Sequence, residues 1–434
     1  MILAKFGGSS LASSKQFKKV KAIINSNQER QIIVASAPGK EQVEKTKVTD
    51  LLLLLHAHIE YNINYQHLLE NIYNRFKNII DDLKIKSVFE EKFEKFSNEL
   101  SSNTNKDYLV SRGEYFNAMI LSEYLGFEFL DAKDIVYVNY DGTINYELSL
   151  KWLNRYLDVN KKYVIPGFYA CTPDNEVRTF NRGGSDLTAS IISRLLEVNL
   201  YENWTDVSGL FVADPRIIDS PLRIERITYN ELRELAYRGA NIIQQESIVP
   251  IEDTNIPIHI KNTNAPEDFG TLISKVVETN GNIITGMSGQ SDYSSLTIIK
   301  DSTKPFALIL KEVLNTFIKY KLTIEHIPTG IDTFSIISKT TQIKKVYFEL
   351  INELRNIDGI IDITTEDQIA LIAIVGRNMS YIPGVSGRIF STLGKNKINI
   401  KVIAQASKEI SIIIGVSNSD YQEAIRVLYK EFYS

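Results

Sequence analysis

Two glycine-rich turns, each directly followed by an apolar helix pattern, contain the residue types that bind anions. The first turn, residues 7–10, follows the apolar strand pattern of residues 1–6, and the second, residues 181–186, precedes the helix pattern that starts at Leu187. Glycine leaves the backbone N–H groups accessible, and a helix N-terminus attracts negative charge. Two separate turns of this kind predict a polyanionic ligand such as a nucleotide.

Charged and hydroxyl side chains flank both turns. Lys5 precedes the first glycine pair, where its ammonium could reach a phosphate that the backbone N–H groups also hold. Arg182 can bind a carboxylate through two parallel hydrogen bonds. Ser185 or Asp186 can instead cap the following helix, which is an ordinary structural role. The spacing excludes both a P-loop and a GxGxxG dinucleotide fingerprint, because those motifs need glycines at other positions.

Two further segments place polar residues where a helix is predicted to start. In residues 107–125, Glu114 could pair with a cationic group of a substrate, or could favour the positive end of the helix dipole. In residues 47–50, Thr49 offers a hydroxyl at the start of a leucine-rich helix. The sequence leaves both interpretations of Glu114 open.

Composition limits the classes of function. The chain has 434 residues, of which 44% are hydrophobic and 24% charged, and a net charge of -4. This balance predicts a globular protein of two or three domains without a general attraction to nucleic acid or membranes. Cys171 is the only cysteine, so an intrachain disulfide and a thiolate zinc site are excluded. We therefore expect a cytoplasmic protein without a signal peptide or membrane span.

Strand patterns alternate with helix patterns over residues 1–280. This order predicts a three-layer α/β/α sandwich with a mainly parallel sheet, in which ligands bind at the carboxyl ends of the strands. Both glycine turns and the loop that begins at Thr205 and Asp206 follow predicted strands. We expect them to form one site.

An internal repeat follows. Residues 321–327 align with residues 397–403 at a constant shift of 76 (397 minus 321). The repeat predicts two small α+β units of βαββαβ type, the first at residues 295–366 with a strand at 322–327. The second copy lacks its last strand, which we expect a strand at 282–287 to supply. The second unit is then discontinuous, built from residues 281–294 and 367–434.

Taken together, these motifs resemble those of aspartate kinases. The resemblance rests on KFGGSS at 5–10, KVTD at 47–50, RGE at 112–114, NRGGSD at 181–186, TDVSGLFVADPR at 205–216, KNTNAP at 261–266 and GTLI at 270–273. The repeat is similar to the tandem ACT domains of that family. The resemblance implies an amino acid kinase domain that transfers a phosphoryl group from ATP, with Mg²⁺, to L-aspartate. The expected product is 4-phospho-L-aspartate, in the first step of lysine, threonine and methionine biosynthesis, under feedback control by amino acids.

The resemblance and the residue chemistry assign roles to particular positions, and no protein side chain is assigned as a metal ligand. The expected catalytic residues are Lys5, Gly8 and Asp186, and the expected aspartate-binding residues are Thr49, Glu114, Arg182 and Ser185. The expected nucleotide-binding residues are Lys5, Gly7, Gly8, Ser9, Gly183, Gly184, Thr205, Asp206, Phe211, Asp214, Arg216 and Asn241. The effector site of the first repeat is expected at Ser302, Thr323, Ile324, Glu325 and Asp332.

Some positions depart from the family pattern. Asn241 replaces a family lysine, so a cation near the phosphates is missing. Lys40 or Lys47 could supply a cation in its place; if neither does, we expect slow turnover. Phe211 replaces a tyrosine and keeps its stacking face. Glu325 could pair with the ε-ammonium of lysine, which makes lysine the first candidate effector and threonine the second, or it could be a solvated carboxylate.

The segment at residues 384–390 resembles the one through which ACT units pair, which predicts a homodimer or a larger homo-oligomer. Two alternatives remain open. One is a related kinase that acts on another acid, and the other is an amino-acid-binding regulatory protein whose kinase half has lost activity. A nucleic-acid-binding protein is disfavoured by the net charge.

Overall fold

The computed structural model describes residues 1–40, 46–181, 183–237, 243–278, 282–405 and 410–433. The chain divides into two compact units. The first contains Met1–Leu210, Arg223–Tyr229 and Asn241–Val277, and the second contains Phe211–Leu222, Asn230–Ala240 and Glu278–Ser434. The predicted domain boundaries at residues 280, 294 and 366 stay predictions.

The described residues form both strands and helices. The strands are β1 (Ile2–Phe6), β2 (Arg30–Ala35), β3 (Glu128–Phe129), β4 (Tyr163–Pro166), β5 (Tyr169–Cys171), β6 (Val177–Thr179), β7 (Leu200–Thr205), β8 (Leu210–Phe211), β9 (Arg223–Ile224), β10 (Arg226–Thr228), β11 (Ile258–Asn262), β12 (Thr271–Ser274), β13 (Gly286–Lys300), β14 (Thr333–Lys339), β15 (Ile360–Val375), β16 (Val402–Gln405) and β17 (Ser411–Ser417). The helices are α1 (Ser14–Asn25), α2 (Val48–Glu60), α3 (Gln66–Leu83), α4 (Phe89–Asn98), α5 (Lys106–Leu125), α6 (Ala132–Ile135), α7 (Tyr146–Tyr156), α8 (Gly184–Leu195), α9 (Tyr229–Tyr237), α10 (Gln245–Ile248), α11 (Phe306–Lys319), α12 (Thr340–Ile343), α13 (Tyr347–Arg355), α14 (Val385–Lys395) and α15 (Tyr421–Tyr433). Three short 3-10 helices lie at Gly8–Leu11, Met379–Tyr381 and Asn418–Asp420.

The first unit is built on an eight-stranded sheet in the order β10-β12-β11-β7-β1-β2-β4-β3. Neighbouring strands are parallel except for β11 and β12. The predicted mainly parallel sheet is therefore confirmed. Because β11, β7, β1, β2 and β4 all run in the same direction, their carboxyl ends meet at one edge of the sheet.

Helices cover both faces of this sheet, as the predicted three-layer sandwich requires. Ala4 and Phe6 of β1 pack in one core with α1 to α5. Side chains alternate along a strand, so Lys5 projects from the opposite face, where its ammonium contacts Asp186 of α8. The alternation explains why a lysine sits inside an otherwise apolar strand.

The second unit is built on one antiparallel sheet in the order β14-β13-β15-β17-β16. Strand β13 has 15 residues and contains the end of the predicted strand at 282–287 together with the segment 295–299, where the first unit was expected to begin. Its first residues, Gly286–Gln290, pair with Leu371–Val375, which in turn pair with β17 of the second repeat. Its later residues pair with β14 of the first repeat. The two repeats thus share one sheet.

The repeat is visible in the packing. Ile309, Val313 and Phe317 form the buried face of α11, and the shift of 76 carries them onto Val385, Ile389 and Leu393, the buried face of α14. Each set belongs to its own hydrophobic cluster. The predicted pair of α+β units is therefore confirmed as architecture, with a core for each copy.

One predicted strand of the first repeat is not formed. Residues 322–327 contribute a single isolated bridge, His326 to Ile337, whereas the matching segment 398–403 of the second repeat ends in strand β16, which begins at Val402. Ser335 donates its N–H to the carbonyl of Pro328 at 2.9 Å. Proline has no N–H to donate in return, so the ladder is interrupted there.

Candidate active site

The carboxyl edge of the parallel sheet collects the segments that the sequence predicted to meet. The first glycine turn follows β1, residues 36–39 follow β2, and Thr205 ends β7. Gly7 donates its N–H to the carbonyl of Trp204 at 3.0 Å, which places the first turn directly against the end of β7. The predicted convergence of these loops is present in the first unit.

Lys5 and Asp186 form a largely buried ion pair at this edge, with 2.7 Å between Nζ and Oδ1. Asn203, which lies opposite Lys5 in the register of β1 and β7, bridges the pair. Its amide oxygen accepts from Lys5 at 3.4 Å and its amide nitrogen donates to Asp186 Oδ1 at 2.8 Å. The Tyr201 hydroxyl donates to the same oxygen at 3.3 Å. Burial and the adjacent Asp186 carboxylate raise the Tyr201 pKa well above its usual value, so this hydroxyl remains a donor.

Gly8 is required by a close backbone approach. A Cβ added to Gly8 would lie 2.9 Å from the carbonyl oxygen of Ala37, and a Cβ added to Gly39 would lie 2.6 Å from the Gly8 carbonyl carbon. Gly39 also donates its N–H to the Gly8 carbonyl at 2.8 Å. The two loops therefore lock together backbone to backbone. Ser9 is half-buried in the same turn.

The second glycine turn begins α8 without a side-chain cap. Gly183 is the N-cap, with φ of 77°, in the left-handed region that favours glycine. The predicted capping of this helix by Ser185 or Asp186 is therefore wrong, because Asp186 is used by Lys5 and Asn203. Ser185 is buried instead beside Gly167, where an added Cβ would lie 2.6 Å from the Ser185 Cβ. The first turn of α8 starts at Gly184 and carries Asp186 to the carboxyl edge.

Glu114 lies inside a helix and not at its start. Helix α5 begins at Lys106, and the Asn105 side chain caps it by accepting from the N–H groups of Asp107 and Tyr108. The interpretation that Glu114 stabilises the helix dipole is therefore wrong, because the residue is two turns further on. Sequence periodicity did not reveal this start, since the first turn of α5 is polar.

The Glu114 carboxyl group is 4% exposed and incompletely paired. Its pKa is raised to about 8, chiefly because burial removes water, although the N–H of Ala37 and the charge of Arg112 oppose the rise. Its Oε2 atom has no hydrogen-bond partner among the described residues. A buried carboxyl group of this kind can accept a cationic group from a ligand.

The charge of Arg112 acts on this carboxyl group, and helix α2, which carries Thr49, packs on the neighbouring Gly113. The Arg112 guanidinium is buried between aromatic rings, 4.5 Å from the Tyr108 centroid and 4.3 Å from that of Tyr115. Thr49, which is half-buried, is in the first turn of α2. That turn packs on Gly113, whose added Cβ would lie 3.5 Å from Val48.

The remaining predicted nucleotide residues are divided between the two units. In the first unit, the Thr205 hydroxyl donates to Asp206 at 3.1 Å. In the second, the Arg216 guanidinium bonds Asp214 at 2.6 Å and holds its pKa below the usual value. Phe211, also in the second unit, is half-buried. Lys40 and Lys47, the proposed substitutes for the family lysine, are both exposed, and Arg182 and Asn241 lie outside the described residues.

Comparison with known proteins shows the family of the chain. Residues 1–262 match the amino acid kinase family and residues 372–432 match an ACT domain. Aspartokinase 3 of Bacillus subtilis (strain 168) is 32% identical over an alignment that covers 100% of this chain and 99% of the relative. The chain belongs to the aspartokinase family. It is an aspartate kinase, an enzyme that phosphorylates a carboxyl group, with ACT domains that regulate it.

Solved aspartokinases share the fold. The crystal structure of Clostridium acetobutylicum aspartate kinase is 38% identical, covers 100% of both chains and superposes with a TM-score of 0.95. Aspartokinase III of E. coli, solved with aspartate and ADP, has a TM-score of 0.79 at 22% identity, which shows a common fold. A bifunctional aspartokinase/homoserine dehydrogenase of Buchnera aphidicola is 28% identical, and this chain covers 56% of it.

The predicted effector residues of this aspartokinase fall into two groups along β14. Asp332 precedes the strand, and its carboxylate pairs with the buried ammonium of Lys300 at 3.1 Å. Ser302 is exposed in the loop after β13, on the same side.

The second group lies near the other end of β14. Glu325 donates its N–H to the carbonyl of Ile337 at 2.8 Å, and Thr323 donates to Gln342 of α12 through both its N–H and its hydroxyl. Ile324 is half-buried between them. Four residues of strand, about 14 Å, separate the two ends, so a single ligand of amino-acid size cannot contact both groups within one chain.

Three residues that sequence reasoning missed bond residues of the candidate site or of the loop beside it: Tyr201, Asn203 and Asn117. Asn117 of α5 is fully buried and donates to the Ser36 carbonyl at 2.6 Å. The available signal was the polar run from Tyr201 to Asn203 inside a strand that must be buried on both faces.

No helix in the described part of the chain combines the length and the apolar composition that crossing a membrane requires.

Proposed function

We propose that this enzyme transfers the γ-phosphoryl group of ATP to the side-chain carboxylate of L-aspartate, releasing 4-phospho-L-aspartate and ADP. The observation that carries the proposal is the buried ion pair of Lys5 and Asp186 at the carboxyl edge, between two glycine turns. The E. coli enzyme of the same fold was solved with aspartate and ADP, which supports this pair of ligands. The reaction would begin lysine, threonine and methionine biosynthesis.

The chemistry needs no general base. A carboxylate with a pKa of about 4 is ionised at neutral pH, so one of its oxygens can attack the γ-phosphorus directly. The bond from that phosphorus to the bridging oxygen breaks, and ADP leaves with the electron pair. The obstacle is repulsion between two anions, which positioning and positive charge must overcome. Lys5 and the backbone N–H groups of the glycine turns supply that charge.

Mg²⁺ would arrive with the nucleotide. In this proposal the ion is held mainly by phosphates and water, as is common for Mg²⁺ at nucleotide sites. Among the described residues, the donors found on Asp186 all bind Oδ1, so its other oxygen is suited to orienting a metal-bound water. When bound, Mg²⁺ would neutralise charge that develops on the phosphates.

The substrate is held at both of its ends in this proposal. Glu114 pairs with the α-ammonium of aspartate, because its buried Oε2 atom has no hydrogen-bond partner among the described residues and the ammonium would supply one. Arg182 binds the α-carboxylate, and the hydroxyls of Thr49 and Ser185 complete the contacts. A related acid without an amine would leave Glu114 unpaired.

Regulation is proposed to run through the ACT units. An amino-acid effector, lysine first and threonine second, would bind near Glu325 or near Asp332 and stabilise a state that misplaces the catalytic loops. E. coli aspartokinase III was solved with lysine and aspartate, which supports lysine. ACT units pair in this proposal, so the enzyme is at least a homodimer.

An assay with ATP and aspartate tests the proposal. Hydroxylamine traps an acyl phosphate as a hydroxamate, and ADP release reports the same turnover. We expect both signals to depend on aspartate and to fall when lysine is added. ADP release without hydroxamate, or no release at all, would refute the proposed reaction, and turnover with another acid alone would refute the proposed substrate.

A further inference from the structure

Two side chains of α5 converge on one dipeptide beneath the site. Asn117 donates its Nδ2 hydrogen to the carbonyl of Ser36 at 2.6 Å, and the next residue, Ala37, donates its N–H to Glu114. Residues three apart on a helix are neighbours on its surface. Asn117 and Glu114 therefore lie side by side against residues 36–37.

Each of these side chains keeps one acceptor without a donor. Glu114 Oε2 and Asn117 Oδ1 are both inaccessible to solvent and lack hydrogen-bond partners among the described residues. Exchanging the oxygen and nitrogen of the Asn117 amide would not pair the oxygen, because the nitrogen must face the Ser36 carbonyl. Buried acceptors are almost always paired, so two unpaired acceptors next to each other indicate a ligand that carries several N–H donors.

We propose that Asn117 Oδ1 is a second acceptor for the α-ammonium of the amino-acid substrate, next to Glu114. The inference rests on the proposed role of Glu114. An ammonium group has three N–H donors, so it can satisfy both acceptors at once. Asn117 then selects amino acids over dicarboxylates that lack the amine.

Aspartate and succinate differ only in that amine, which makes the pair a direct test. We would measure the dissociation constant of aspartate and of succinate for the full-length protein with ADP present, in the wild type and in Asn117→Leu. We expect aspartate to bind at least about 10-fold more weakly to the variant, since a hydrogen bond to a charged group is lost. Succinate affinity should change less than about 2-fold, within the range of neutral substitutions.

A role limited to holding residues 36–37 gives a different result. Both ligands would then lose affinity equally in Asn117→Leu, and this outcome would overturn the inference.

Asn117→Asp is a second variant, for the case in which Asn117→Leu does not fold. The aspartate side chain keeps an acceptor and loses the donor to Ser36, so the variant should still bind aspartate more tightly than succinate. Loss of this preference would count against the proposal. Ser122→Ala, which removes a buried hydroxyl of the same helix bonded to Met119, is the matched control and should change neither constant.

Glu114→Gln separates this inference from the proposed function. If Glu114→Gln abolishes the discrimination while Asn117→Leu retains it, only the role of Asn117 fails. If neither variant changes the preference for aspartate over succinate and the enzyme still phosphorylates aspartate, the ammonium does not bind at α5. If the wild type forms no hydroxamate, the proposed reaction itself fails.

Discussion

At the scale of single residues, the site is organised by a carboxylate that receives three donors on one oxygen. Lys5, Asn203 and Tyr201 all bond Asp186 Oδ1, and each comes from a strand of the same sheet. Hydrogen bonds to charged groups are stronger than neutral ones, and burial strengthens them further. We therefore expect Asn203 and Tyr201 to act as positioning residues, which hold Asp186 in place through these hydrogen bonds.

Removing one of these donors should impair turnover more than folding. We expect Tyr201→Phe to lower kcat about 10-fold and Asn203→Leu about 10- to 100-fold, since each loses hydrogen bonds to charged groups. Tyr163→Phe is the matched control, because Tyr163 is a buried tyrosine of β4 whose hydroxyl bonds the N–H of Asp158. It should lower the melting temperature slightly and leave kcat unchanged. Equal kcat in all three variants and the wild type would contradict the positioning role.

The raised pKa of Glu114 predicts that aspartate binding depends on pH. The carboxyl group must lose its proton to pair with an ammonium, and its pKa in the free protein is about 8. The dissociation constant should therefore fall as pH rises from 6 to 8, by up to about 10-fold per pH unit, and then level off. Calorimetry in buffers of different ionisation enthalpy would measure the released proton. Glu114→Gln should bind weakly at every pH, and a wild type without pH dependence would contradict the assignment.

The same group affects stability. Its folded-state pKa of about 8 exceeds the ordinary value of 4.5. Between these pH values the folded protein holds a proton that the unfolded chain has lost, so the free energy of unfolding falls as pH rises. Melting curves should show that the stability of Glu114→Gln relative to the wild type increases from about pH 4.5 to pH 8 and stays constant above pH 8.

At the scale of elements, the carboxyl edge depends on loops that meet without side chains. Residues 36–39 touch the first glycine turn through Gly39 and Gly8, and they also receive Asn117 and Glu114 of α5. The same short loop therefore links β1, β2 and α5. Its position therefore affects both the first glycine turn and the Glu114 carboxyl group.

A methyl group at Gly39 should disturb this junction. The Cβ of Gly39→Ala would lie 2.6 Å from the Gly8 carbonyl carbon, and backbone cannot yield as a flexible side chain does. We expect a loss of about 1–3 kcal/mol in the free energy of unfolding and a clear fall in kcat. Gly394→Ala in α14 is the control, since no atom lies within 4 Å of its added Cβ and alanine favours the helix by up to about 1 kcal/mol. Chemical denaturation and initial rates would check both, and an unaffected Gly39→Ala would contradict the close packing.

At the scale of the whole molecule, the two repeats of the second unit are joined by shared strands. β13 and β15 each run through both copies, so continuous backbone joins the two copies. Asp292 and Gln368 adopt positive φ near the middle of these strands, where the pairing register shifts. The strands bend there without ending.

Feedback inhibition is the property to test at this scale. If the effector is held by Glu325, Glu325→Ala should raise the lysine concentration for half-inhibition by about 5- to 150-fold, the range of typical allosteric coupling, while basal kcat is kept. Glu353→Ala, which removes a glutamate of the same repeat that pairs with Lys319, is the control. Rates titrated with lysine, and separately with threonine, would decide. Unchanged inhibition in Glu325→Ala would contradict binding of the effector at Glu325 and leave Asp332 as the proposed effector site.

The sequence by itself determined the chain's general plan. Glycines directly after an apolar strand predict an anion-binding turn, because such a turn depends on neighbouring residues in the sequence. The alignment at a constant shift of 76 residues predicts two copies of one unit, whatever the packing of the copies. The order of strands and helices was enough to predict a parallel sheet whose carboxyl edge holds the ligand.

Tertiary structure alone decided the details on which catalysis depends. Asn203 faces Lys5 because β7 pairs with β1 in one particular register, and no local pattern fixes that register. Glu114 lies two turns inside α5 because Asn105 caps a polar first turn. β13 continues past the expected break because β15 pairs with it on both sides of that break. Each of these outcomes depends on partners far away in the sequence, whose contacts outweigh local preference.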